Sequence, residues 1–177
     1  FEIAAENKHP KALFKCGFYY LNGISVPQNI QKALEFFKKG SEQGETECLY
    51  ILGYLYEKNI VIAINNKEFT QYHTISVDNV HAKFISNYRL LLEKYKSEAL
   101  KFFKKAAENN HPEALFKCGF YYLNGISVEP DIEKALEFFK KGSEQGETEC
   151  IYTLGYLYGH NPEIGINKEE SAKYYKI

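Results

Sequence analysis

Apolar residues recur at helical spacing along most of this chain, in two alternating forms. Segments such as KALFKCGFYYL (11–21) are apolar on nearly every side. A helix of that kind must be sandwiched between neighbours. Segments such as IQKALEFFKKGSEQ (30–43) hold Ala33, Leu34, Phe36 and Phe37 on one side and charges on the other. That is the pattern of an amphipathic helix with one buried face. The first form is called helix A below and the second helix B. Ala12, Cys16, Gly17 and Tyr20 share one face of the first helix A.

Local punctuation marks the ends. Pro10 and Pro112 suit the first helical turn, where a missing N–H costs nothing. His9 and His111, just before them, are expected to help cap helix A. Asn22-Gly23 closes helix A with a residue able to take positive φ. Asn29 and Asp131 are expected N-caps of helix B, and Gly44 and Gly146 its stops.

The pattern repeats at two levels. His9–Tyr56 recurs as His111–Tyr158, an offset of 102 residues, with about seven differences over about 48 positions. Within that long repeat, Gly17 and Gly53 are 36 residues apart, as are Gly119 and Gly155. The predicted organisation is one array: a partial repeat at 1–8, then repeats at about 9–44, 45–110, 111–146 and 147–177. The last is cut, and the array reads as a fragment of a longer protein. The second repeat carries an insertion at about 57–97. Its first part is β-branched and polar, and its second part, from His81, reads as one long helix. A helix pair cannot bury its own apolar surface, whereas stacked pairs make a continuous core. Gly17, Gly40 and Ala33 are expected where helices cross closely.

These residues resemble the Sel-one-like repeat family, relatives of the tetratricopeptide repeats. Ala114, Gly119, Tyr122, Gly125, Val128, Asp131, Lys134, Ala135, Phe138, Phe139 and Gly146 fill the family pattern in order. Ala12, Gly17, Tyr20, Gly23, Val26, Lys32, Ala33, Phe36, Phe37 and Gly44 do the same earlier. The second glycine of the family loop is Ser25 or Ser127 here, so that loop is expected to turn differently. The resemblance implies an all-α fold, a right-handed α/α superhelix (solenoid) of stacked antiparallel helix pairs. It also implies an adaptor role; members act in endoplasmic-reticulum quality control, cell-wall synthesis regulation and bacterial signalling.

Composition narrows the chemistry. The formal net charge is −1, with 22 basic and 23 acidic residues interspersed. No basic stripe points to nucleic acid or an anionic membrane, and no apolar run approaches a membrane span. Cys16, Cys48, Cys118 and Cys150 form no C-x-x-C pair. They read as small core residues, which fits a reducing, cytoplasmic location. His73, Asp78 and His81 in the insertion are a weak metal-ligand pattern, and no metal or cofactor is expected. No nucleophile, base and orienter can be assembled, so the chain is not expected to be an enzyme. A hydrolase of the cysteine-rich repeat type and a structural spacer in a multidomain protein stand as alternatives.

The leading expectation is a scaffold binding another protein or peptide along a concave groove of A helices. The groove residues are expected to be Lys15, Tyr19 and Asn22, then Ile51, Leu55 and Lys58. Lys117, Tyr121 and Asn124 follow, then Thr153, Leu157 and His160. Tyrosine suits an interface because it combines large area with a polar tip; the alternative is that Tyr19 and Tyr121 pack on adjacent repeats. The expected state is a monomer, or weak self-association through truncated ends.

Overall fold

A computed structural model describes Ala5 and residues 9–58 and 80–176, with side chains of the last stretch from residue 90 onward. Residues 59–79, including His73 and Asp78, lie outside the described residues, as do the side chain of His81 and most of the partial repeat at 1–8. All regular structure described is helical: α1 (Pro10–Asn22), α2 (Ile30–Glu42), α3 (Thr46–Glu57), α4 (Val80–Glu108), α5 (Pro112–Asn124), α6 (Ile132–Glu144), α7 (Thr148–His160) and α8 (Lys168–Tyr175). A single 3-10 turn, Pro162–Ile164, lies between the last two. They pack in sequential antiparallel pairs. The chain forms two compact units, Phe1–Phe102 and Phe103–Ile177.

The helix ends follow local chemistry. Asn29 accepts the Lys32 amide at 3.0 Å and Asp131 the Lys134 amide at 2.9 Å. Asn167 does the same for Glu170 at 3.0 Å and starts α8. Each satisfies an amide that has no partner inside the helix. The two histidines differ. His111 Nδ1 accepts from the Ala114 amide at 3.4 Å, whereas His9 makes no side-chain cap bond. At the end of α2 the Glu45 amide returns to the Gly40 carbonyl at 3.0 Å and the Gly44 amide to Ser41 at 3.1 Å. Gly44 takes φ +76° to close this motif. Asn110 fills the same position after α4 at φ +57°, because asparagine tolerates the left-handed region.

The A–B loop holds its serines in an unusual conformation. Ser25 (φ 60°) and Ser127 (φ 56°) both take the left-handed conformation. Both serines carry the strain that φ > 0 imposes on a residue with a Cβ.

Four aromatic pairs clamp helix A to helix B. Tyr20 stacks on Phe36 (5.7 Å between centroids), Tyr56 on Phe102 (5.5 Å), Tyr122 on Phe138 (5.8 Å) and Tyr158 on Tyr174 (5.9 Å). Lysines lie over three of these tyrosines: Lys32 over Tyr20, Lys104 and Lys134 over Tyr122, and Lys140 over Tyr158. In three of these pairs the next aromatic along helix B enters the core. Phe37, Phe103 and Phe139 are fully buried. Phe37 and Phe139 press on the A-helix glycines, so that a Cβ on Gly17 would lie 2.6 Å from the Phe37 ring and one on Gly119 2.5 Å from Phe139. Gly40 and Gly142 serve a different crossing. They face the thiols of Cys48 and Cys150 on the following helix A.

All four cysteines are buried and unpaired by disulfides. Burial, with smaller contributions from Glu45 and Glu47, pushes the Cys48 thiol up to about 12. Burial also raises Cys118 to about 12 and raises Cys150 as well. These are packing residues with little thiolate character.

Candidate functional site

Three of the residues expected to line a groove are core residues. Leu55, Tyr121 and Leu157 are buried. Tyr121, with 1 % of its surface exposed, meets Phe103 edge-on at 5.9 Å. Tyr19, at the equivalent position of α1, is half-buried. This A-helix position turns toward the neighbouring helices, so the packing alternative describes Tyr121, and a partner cannot reach Leu55 or Leu157.

The other expected residues share a different stripe. Lys15, Asn22, Lys58, Asn124 and His160 are exposed, and Ile51, Lys117 and Thr153 half-exposed. Between them lies an aromatic that the sequence reading did not select: Phe18, Tyr54, Phe120 and Tyr156. Each directly follows the helix glycine, and each stays open, at 37 %, 38 %, 40 % and 51 % exposure respectively. One residue along a helix is a rotation of about 100°. Tyr19 and Tyr121 therefore face a different side from Phe18 and Phe120, and the helix glycine marks which side turns outward. Its face is pressed against helix B, and the following residue stands one step away from that contact.

Polar groups hold each stripe in place. The Asn22 and Asn124 amides donate to the carbonyls of Phe18 (2.9 Å) and Phe120 (2.8 Å). The Lys58 ammonium lies 5.8 Å above the Tyr54 ring. The His160 ring stacks on Tyr156 at 4.9 Å, with Nδ1 3.1 Å from the Tyr156 carbonyl. Lys15 reaches over Phe14 at 5.9 Å and Lys117 over Phe103 at 6.0 Å. On α7 the stripe borders two open depressions. One, of about 340 Å³, is lined by Thr148, Glu149 and Tyr152. The other, of about 300 Å³, includes Tyr156, His160 and Glu163. Exposed rings with adjacent polar heads suit contact with another polypeptide. Among the described residues, no cluster of three or more histidine, cysteine or acidic groups could hold a metal ion, and no helix is long and apolar enough to cross a membrane.

A Sel1 repeat protein from Oxalobacter formigenes has a similar structure, with a TM-score of 0.73 and 22% identity over 98% of this chain and 58% of its own. A protective antigen of uropathogenic Escherichia coli with the SLR fold, c5321, matches at TM-score 0.48 and 24% identity, over 99% of this chain and 39% of its own. The immunity protein Pa5087 from Pseudomonas aeruginosa matches at TM-score 0.49 and 19% identity, over 99% and 69%. The chain thus spans 58% of the first of these proteins and 39% of the second. The Sel1 repeat pattern itself matches residues 10–45, 46–58, 94–111, 112–147 and 148–177, and with most of its length so matched the chain belongs to the Sel1 repeat family.

Proposed function

We propose that this chain is a protein-interaction scaffold that holds a partner on the outward stripes of its A helices. Sel1 repeat arrays are typical of such scaffolds and the family is usually non-catalytic. The observation that carries the reading is the recurrence of one open aromatic on every A helix, at Phe18, Tyr54, Phe120 and Tyr156. A large ring left in water at the same position four times costs hydration free energy each time, whereas a partner that covers it recovers that cost. Tyrosine and phenylalanine are common anchors of protein interfaces. Lys15, Asn22, Lys58, Lys117, Asn124, Thr153 and His160 form the polar surround, with Ile51 as an apolar member among them. The four buried thiols fit a reducing compartment such as the cytoplasm.

The test is site-specific photo-cross-linking in the native source. A photoreactive group at Phe18 or Phe120 should capture a discrete partner, and one at Glu35 or Glu137, exposed on helix B, should not. A folded variant with Phe18, Tyr54, Phe120 and Tyr156 all changed to Ala should lose that partner in a pull-down. Full retention by the variant would refute the stripe as the binding surface.

A further inference from the structure

The two long copies are not equivalent electrostatically. Four of their seven differences change charge, and all four run the same way: Lys11, Pro27, Asn29 and Gln31 become Glu113, Glu129, Asp131 and Glu133. On the stripe itself, Lys11 becomes Glu113, and just beyond the copied stretch Lys58 becomes His160. Glu113 is thus the carboxylate that the second unit adds to the stripe, while Glu149 keeps the place of Glu47; each stands seven residues, about 10 Å along the helix, before Phe120 or Tyr156. Both carboxylates are exposed. Glu113 Oε2 lies 3.3 Å from His111 Nδ1 at the first turn of α5. Lys117, on the same stripe, is drawn over the Phe103 ring.

The first unit displays the contact that the second has lost. There, Lys58 lies over the Tyr54 ring and supplies the cation that the aromatic face attracts. In the second unit His160 covers one side of Tyr156, and half of the tyrosine remains exposed. Resting on the stripe being a partner surface, we infer that the α5–α7 face of the second unit takes an extended, arginine-bearing segment of a partner protein. One guanidinium would lie on an exposed ring, and a second, about 10 Å further along the segment, would pair with Glu113 or Glu149. Arginine suits this better than lysine because its planar head stacks on rings and meets a carboxylate through two parallel hydrogen bonds.

The experiment is a calorimetric titration of the whole chain, at low ionic strength, with a short peptide of alternating arginine and glycine. The same peptide with glutamate in place of arginine serves as control. One variant combines Glu113→Gln, Glu149→Gln and Tyr156→Ala. A second combines Glu129→Gln and Glu133→Gln, which removes the same charge away from the stripe. Circular dichroism confirms that both fold. The expected result is a loss of at least about tenfold in arginine-peptide affinity for the first variant and less than about twofold for the second. Equal losses would mean attraction to bulk charge and would overturn the inference, as would absence of binding to the unaltered chain. Stripe-dependent binding of the glutamate peptide would also overturn it while leaving the scaffold reading intact. That reading falls separately, on the cross-linking result.

Discussion

A close approach between helices sits at Gly119, and it makes a sharp prediction for Gly119→Ala. On an open helix this change would gain about 1 kcal/mol from helix propensity. Here the new methyl would lie 2.5, 2.7 and 2.9 Å from three atoms of the Phe139 ring. That ring is fully buried and lies 6.0 Å from Phe116, so it has no solvent to swing into. Overpacking of a tight core costs about 1–3 kcal/mol, and three ring atoms inside contact distance point to the upper half of that range. The expected net loss is about 1–2 kcal/mol, read as a lower urea midpoint with an unchanged slope. The cause is separable by a double-mutant cycle. Phe139→Leu alone should destabilise by opening space, and the same change in the Gly119→Ala background should cost less, because it relieves the clash. A coupling of about 1 kcal/mol or more is expected. Gly17 and Phe37 repeat the geometry and should respond alike. If Gly119→Ala raises stability, or if the cycle adds within about 0.5 kcal/mol, the close approach does not limit this crossing and the reasoning fails.

Further outcomes follow from the caps and the buried groups. Asn29→Ala should cost about 1 kcal/mol through loss of the Lys32 amide bond, measured by urea denaturation. Hydrogen bonds from Lys134 hold the Asp131 carboxyl below its ordinary range. Its contribution is therefore present above the unfolded carboxylate pKa and fades as pH falls through the lower folded value. Asp131→Asn, which copies Asn29, should flatten this part of the acid limb while leaving neutral-pH stability nearly unchanged; an identical acid limb would refute the assignment. Cys48 and Cys118, with thiols pushed up to about 12, should resist maleimide at neutral pH until the chain unfolds, and rapid labelling of the native chain would contradict their burial. Ser171 takes the slot filled by Ala33, Ala99 and Ala135 elsewhere, and its hydroxyl donates to the Gly155 carbonyl at 2.7 Å. Ser171→Ala should cost no more than about 1 kcal/mol, because alanine already fits that slot; a thermal-melt loss of twice that would show the bond to be structural.

The sequence was most legible where the physics is local. Pro10 and Pro112 begin helices, Asn29 and Asp131 cap them, and Gly44 and Gly146 end them, all as their intrinsic preferences dictate. His9 and His111 were less legible: the same dipeptide precedes α1 and α5, yet only His111 bonds back to its helix. Ser25 and Ser127 show the limit from another side. A serine disfavours positive φ, but the flanking helices hold the loop there. Of the residues expected along the groove, the exposure of Lys15, Asn22, Lys58, Asn124 and His160 was readable from spacing, whereas the burial of Leu55, Tyr121 and Leu157 was not.

The sequence alone determined the helices, their two alternating kinds, their ends and the repeat itself, because each rests on nearest-neighbour backbone preference or on periodicity. Which side of helix A meets water was decided only in the tertiary structure. A helix that is apolar all round carries almost no directional signal of its own. Its orientation is set by which side chain fills which gap, here Phe37 over Gly17 and Phe139 over Gly119. Those contacts turn Tyr121 inward and leave Phe18, Tyr54, Phe120 and Tyr156 facing out.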